Sequence, residues 1–178
     1  MSELISNIGF LAYPLLILSV LSLSIIINRL VFVIKLGKID NCDNLRSLEA
    51  TLKANKSKPK TLRDEILAFL LLDLKNSYDF GIKTLRLIAT ISPMVGLLGT
   101  VIGIIKVFKT IALETGPVTP ALISDGLWNA MMTTAIGLSI ALPSLMAAFI
   151  FSRVTEKRIE AYQARLNKSS FAIDGVKL

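Results

Sequence analysis

Residues 87–105 read LIATISPMVGLLGTVIGII, 19 positions without a charge between Arg86 and Lys106. A membrane-crossing helix needs about 20 apolar residues at 1.5 Å of rise each, to cover a hydrocarbon core of about 30 Å. The stretch is therefore long enough to span. Working outward, the chain holds two more such gaps, Leu4 to Asn28 (25 residues) and Gly126 to Ser152 (27 residues). The apolar run Ile66 to Leu72 is only seven residues long and cannot cross. Composition fits three spans: 53% of the 178 residues are apolar and 19% charged, with a mean hydropathy of +0.65. Soluble domains run about 45–50% apolar and about 25% charged. There is no His and one Cys, which removes the usual zinc and haem ligands, any Ser-His-Asp or Cys-His triad and any internal disulfide. The chain is read as a non-enzyme with no cofactor and no metal.

The net charge of +7 is unevenly placed. Between Arg29 and Arg86 lie 12 basic and 7 acidic residues, and from Arg153 onward 6 basic and 3 acidic. By contrast, only Glu3 precedes Asn28, and the connection from Thr110 to Asp125 carries Glu114, Asp125 and no basic residue. Basic flanks mark the cytoplasmic side. This predicts an outward-facing N-terminus, a large cytoplasmic loop and a cytoplasmic C-terminus, so the basic excess is topology and not nucleic-acid binding. Lys106 and Lys109 dissent; their long stems can reach the outer interface. A cleavable signal peptide fits badly, because the first four residues carry no positive charge and the apolar stretch is too long.

The expected organisation is a first transmembrane helix over 1–36, a cytoplasmic helical loop over 37–84, transmembrane helix two over 85–111, a periplasmic loop over 112–119, transmembrane helix three over 120–152, and a cytoplasmic helix and tail over 153–178. Within the loop, a short amphipathic helix is expected from Leu45 to Ala54, with Cys42 a free thiol. Thr61 is a candidate N-cap with Asp64 at the capping-box offset, followed by a stripe of Leu62, Ile66, Leu70 and Leu74. Thr119-Pro120 suits the cap and first turn of the third helix. From Pro120 to Asn167 that helix would be about 70 Å long, so it must project beyond lipid. Ile159, Tyr162 and Leu166 continue an apolar stripe there, and Ser169 to Leu178 are expected to be loose.

Spans two and three are rich in small residues. Gly96, Gly99 and Gly103 put a flat strip on one helix, flanked by Pro93. Ala130, Thr134, Gly137 and Ala141 do the same on the other, flanked by Pro143. Small strips let helices approach closely where lipid supplies no hydrophobic drive. Thr100 and Thr134 fall at similar depths. Their hydroxyls either bond back to their own helix or, with Asn129 and Thr133, line a polar path at mid-membrane. Asp125 is the acid closest to any span, on the periplasmic side, where it suits an early helical turn. No titratable group lies at mid-depth, so a proton crossing here needs a carboxylate from another chain. Lipid would cover the rest.

The stretches ATISPMVGLLGTVIG (Ala89–Gly103) and GLWNAMMTTAIGLSIALP (Gly126–Pro143), with the charge order and three spans, resemble the ExbB/TolQ/MotA group of ion-driven motor subunits, most closely its ExbB branch. The resemblance implies an all-α membrane protein of three transmembrane helices with long cytoplasmic extensions, assembled as a pentamer around a central pore. That pore would hold single-span ExbD-like helices whose aspartate takes the proton, and TonB would carry the motion to outer-membrane receptors for siderophores or vitamin B12. Carried over by position, Thr100 and Thr134 match pore-facing threonines. Where the group often has glutamates, this sequence has Asn28 and Asn129, which leaves the titrating acid to the partner. TolQ-like coupling for envelope maintenance and a MotA-like stator are the alternatives within the group. Outside it stand a non-conducting helical scaffold and a substrate transporter, the latter disfavoured by the lack of mid-membrane charge.

Overall fold

The structure, a computed structural model, describes residues 9–35, 43–114, 116–117 and 119–174. After a 3-10 turn at Gly9–Leu11 come four helices: α1 (Ala12–Lys35), α2 (Asp43–Ala54), α3 (Lys60–Leu113) and α4 (Pro120–Ile173). No strand occurs among the described residues. Three of these helices, α1, α3 and α4, are long and apolar enough to cross a membrane. Helices α3 and α4 have 54 residues each, more than twice what a span requires. Both continue through an internal proline, Pro93 and Pro143, each of which removes one backbone hydrogen bond from its helix. Cys42 lies outside the described residues.

The chain divides into two compact units, to both of which α1, α3 and α4 contribute. The first comprises residues 1–26 and 84–148. Its α1 segment offers lipid an almost continuous apolar surface, with only 6% of its spanning window buried. One polar contact ties it inward: the buried Ser22 and Ser144 hydroxyls hydrogen-bond at 2.6 Å, and Ser144 also donates to the Ile140 carbonyl. The α3 and α4 segments bury Leu85, Ile88, Ala89 and Ser92 on one helix and Ala130, Thr133, Ala141, Ser144 and Ala148 on the other. The buried side chains of this unit are therefore mostly small, as expected where close approach replaces hydrophobic drive.

The second unit comprises residues 27–83 and 149–178. It has an ordinary apolar core, in which Leu45, Leu48 and Leu52 of α2 pack with Leu67 and Leu71 of α3 and Tyr162 and Leu166 of α4. Residues at i, i+3 and i+7 share one helix face, so α2 closes on the other two with a single stripe. Two expectations change here. The fully buried stripe of α3 runs through Arg63, Leu67, Leu71, Tyr78 and Ile82, one residue on from the predicted one, of which Leu62 is exposed while Leu70 and Leu74 pack half-buried against the core. Thr61 also does not cap α3: the helix starts at Lys60, the Arg63 amide donates to the Pro59 carbonyl at 3.1 Å, and Asp64 instead accepts from the Ser170 hydroxyl at 3.2 Å.

The end of α4 differs as well. Residues 169–173, expected to be loose, stay helical because their side chains have partners on α3. Arg63, buried at 3% exposure, pairs with Asp174, and Lys60 approaches the same carboxylate at 4.0 Å while its ammonium stands over the Phe171 ring at 4.4 Å. A buried guanidinium needs such a partner to offset its desolvation. Neither contact is visible in the local period of 169–178.

Candidate functional site

The site is the seam between the apolar parts of α3 and α4. Glycine is required there because the backbones are in near contact. A methyl group placed on Gly137 would lie 2.6 Å from the Ser92 carbonyl oxygen, and one on Gly96 would lie 2.9 Å from the Thr133 carbonyl oxygen. At Gly103 it would meet the Ala130 methyl at 2.5 Å, and at Gly99 the Thr133 Cβ at 2.6 Å. Thr133 therefore lies in the seam. Its hydroxyl donates across to the Gly96 carbonyl at 3.0 Å and also reaches its own Ala130 carbonyl at 2.7 Å. On α4 the buried strip runs Ala130, Thr133, Gly137, Ala141, Ser144 and Ala148, so Thr133 takes the place assigned by spacing to Thr134. Ser92 extends the α3 strip one turn beyond Gly96; it is fully buried and donates to the Ile88 carbonyl at 2.7 Å.

Thr100 and Thr134 flank this seam. At about 100° per residue, Thr100 is turned about 75° from the centre of the α3 strip and Thr134 about 60° from that of α4. The two helices run antiparallel, since Gly103 meets Ala130 while Gly96 meets Gly137. Equal senses of rotation on antiparallel neighbours lead to the same side, so both threonines lie on one edge of the pair and at matching level. Both are half-buried in the single chain. Their hydroxyls differ in a way that spacing could not decide. Thr100 bonds back to the Leu97 carbonyl at 2.6 Å, whereas the buried Thr134 Oγ1 has no hydrogen-bond partner among the described residues. Helical threonines normally satisfy themselves on their own carbonyls, and a buried hydroxyl left without a partner calls for an explanation.

The other predicted residues are not gathered at that edge. Asn129 is half-buried and is turned to the opposite edge, about 80° from the strip centre. Asp125 is in the second turn of α4, and its side chain lies outside the described part. Pro93 is half-buried and Pro143 exposed. Lys106 and Lys109 are exposed on α3. Between Leu87 and Ile105 and between Gly126 and Ser152 there is no Asp, Glu, Lys, Arg, His, Cys or Tyr, so these two stretches offer hydroxyls, amides and carbonyls but no titratable side chain. Sequence reasoning passed over Ser22, Ser92 and Ser144. The seven-residue step from Gly137 to Ser144 and the four-residue step from Ser92 to Gly96 are the signals that place two of them in line with the strips.

Residues 43–164 match the family described as the MotA/TolQ/ExbB proton channel family. The chain is 30% identical to the biopolymer transport protein exbB1 of Vibrio cholerae, with all of this chain and 90% of that protein covered. It is 42% identical to the biopolymer transport protein ExbB of Salmonella typhimurium over 46% of this chain and 32% of that one. With ExbB of Aquifex aeolicus it is 43% identical over 44% of this chain and 55% of the relative. A family match over two thirds of the chain and a relative 30% identical along the whole of this chain, together with three span-length helices and a glycine seam, show that the chain belongs to the MotA/TolQ/ExbB proton channel family.

Proposed function

We propose that this chain is the path-lining subunit of an inner-membrane complex that couples the proton motive force to TonB-dependent uptake of siderophores or vitamin B12 across the outer membrane. In this reading several copies, five by the pattern of the group, surround a central pore with the Thr100–Thr134 edge facing inward and the N-terminus periplasmic. A single-span ExbD-like partner places an aspartate at that level. The observation that carries the reading is Thr134 Oγ1, which is buried and has no hydrogen-bond partner among the described residues, between two spans, 87–105 and 126–152, without a titratable side chain. A partner's carboxylate would accept its hydrogen bond. The names of the relatives, all biopolymer transport proteins, favour this branch over the TolQ-like and MotA-like ones.

Roles divide accordingly. The partner's carboxylate holds the proton; Thr134 donates to its ionised form and steadies it; Thr100, with its proton committed to Leu97, presents lone pairs. Thr133 and the glycines hold the edge at fixed spacing, and Asn129 polarises the opposite edge nearer the outer end. One charge crossing 100 mV releases about 2.3 kcal/mol, so a strongly seated receptor requires several protons per event. The test is proton influx and siderophore-dependent growth in Thr134→Val, which removes the hydroxyl and keeps the shape. Loss of both with normal assembly supports the reading; unchanged influx and growth refute it. Co-purification of a single-span protein with an acid in its helix is the independent check.

A further inference from the structure

We propose that the second unit carries a binding site for the phosphate of an anionic glycerophospholipid, in a cleft where α1, α3 and α4 meet. Its polar lining is Arg29 of α1, Tyr78 of α3 and Thr155 and Arg158 of α4; its apolar walls include Phe32 and Ile82. Two guanidiniums and two hydroxyls face this cleft, and no carboxylate is among its lining residues. Arg29 is half-buried, and among the described residues no acid pairs with it. Its guanidinium is instead held over the Phe32 ring at 5.5 Å, and Phe32 in turn meets Tyr78 edge-on at 5.4 Å between centroids.

Gly81 makes this placement possible. It is buried, and a methyl group there would lie 2.7 Å from the Arg29 Nε, so the arginine crosses α3 at the one position without a side chain. A partly desolvated, preorganised guanidinium without an acid is the arrangement that favours an incoming anion.

Two features select a lipid over a free phosphate. Arg29 ends the uncharged stretch of the first span and Arg153 that of the third, so the cleft lies at the level of headgroups on the strongly basic side. Basic pockets between transmembrane helices on that side hold anionic headgroups. The enclosed volume, about 10 Å3, is the room of a single water, so the cleft cannot engulf a nucleotide or similar metabolite. A lipid needs only to lay its phosphate across the mouth while its acyl chains continue along the apolar helix surfaces.

The experiment titrates the full-length purified protein in detergent with dioleoylphosphatidylglycerol, dioleoylphosphatidylcholine or inorganic phosphate, reading thermal stabilisation and lipid retained in native mass spectra. Phosphatidylglycerol is expected to stabilise and to be retained, and the other two to do neither. With each arginine worth about fivefold at a membrane surface, the double variant Arg29→Gln/Arg158→Gln should need about 25-fold more phosphatidylglycerol. Arg46→Gln on α2 should match the wild type. Gly81→Ala keeps both charges but displaces Arg29, and should cost about fivefold; Arg158→Gln alone serves if the double variant does not assemble. An undiminished response in the Arg29 and Arg158 variants overturns the site, and stabilisation by inorganic phosphate alone overturns the lipid as its occupant.

Discussion

Gly137→Ala adds one methyl group to the α3–α4 seam, and the structure gives the cost. The new carbon would lie 2.6 Å from the Ser92 carbonyl oxygen, where ordinary contact begins at 3.4 Å. The helices must therefore part by up to 0.8 Å at that level (3.4 − 2.6). The obstacle is backbone, so no rotamer change relieves it. Overpacking of this kind costs about 1–3 kcal/mol. Parting the helices also stretches the Thr133–Gly96 bond, and interhelical bonds in membranes average about 0.6 kcal/mol. Alanine's better helix propensity returns about 1 kcal/mol. The net expectation is a loss of about 1–2 kcal/mol, or a fall in Tm of about 3–6 °C for a chain of this size. Gly99→Ala should cost a similar amount for a different reason, since there the methyl meets the Thr133 side chain. The Thr133 Cβ itself stands 2.6 Å from that methyl, so Gly99→Ala/Thr133→Gly should recover more of the loss than Gly99→Ala/Thr133→Ala, whereas trimming Thr133 should do nothing for Gly137→Ala. The assay is a thermal ramp of the purified protein in mild detergent, read by the fraction remaining monodisperse. A Gly137→Ala protein as stable as the wild type, or one rescued by Thr133→Ala, would refute the seam as described.

Thr134→Ser should keep proton influx within about twofold of the wild type and Thr134→Val should lose it, since only the first retains the hydroxyl; equal influx in both would remove the hydroxyl from the mechanism. Gly99→Leu should prevent close packing altogether and abolish the oligomer in mild detergent, and an intact oligomer would contradict the contact. Asp174→Asn should destabilise the second unit by about 3 kcal/mol because Arg63 is then buried without a counter-charge, while Lys60→Gln should change it by less than about 1 kcal/mol; hydrogen exchange of the α2 amides separates the two. Leu48→Ala should cost about 2–5 kcal/mol in the same measurement.

The three apolar spans and the glycine strip of α3 were legible because each rests on a local property, either the absence of charge or a period of three and four. The rotational setting of the helices was not. In α3 the run Leu70-Leu71-Leu72 places leucine on three adjacent directions, so the period alone cannot say which faces the core. Docking of α2 against Leu67 and Leu71, and the bond from Arg63 to Asp174 across 111 positions of sequence, decide it. Thr133 and Thr134 pose the same problem. The two hydroxyls are about 100° apart on one helix, and the carbonyl of Gly96 selects Thr133 for the seam. Only a non-local contact could separate a structural threonine from one left at the edge.

That separation bears on how the chain can act without an acid of its own. A carboxylate moving past the helix pair must exchange hydrogen bonds at little cost, or each proton's roughly 2.3 kcal/mol per 100 mV would be spent on desolvation. Thr133 cannot serve, because its hydroxyl is already shared between two carbonyls. Thr134, one residue on, has no such commitment among the described residues, and it belongs to a helix that the glycine contacts bring into close approach with α3. In the proposed reading the seam and the edge are one device: close packing at Gly96, Gly99, Gly103 and Gly137 would hold a single donor in place for a charge that arrives on another chain. Thr133→Ala would test this link, since it leaves the edge chemically unchanged while loosening the clamp behind it. Its proton influx should fall in parallel with its thermal stability, and full influx in a destabilised Thr133→Ala protein would show that the edge does not depend on the seam.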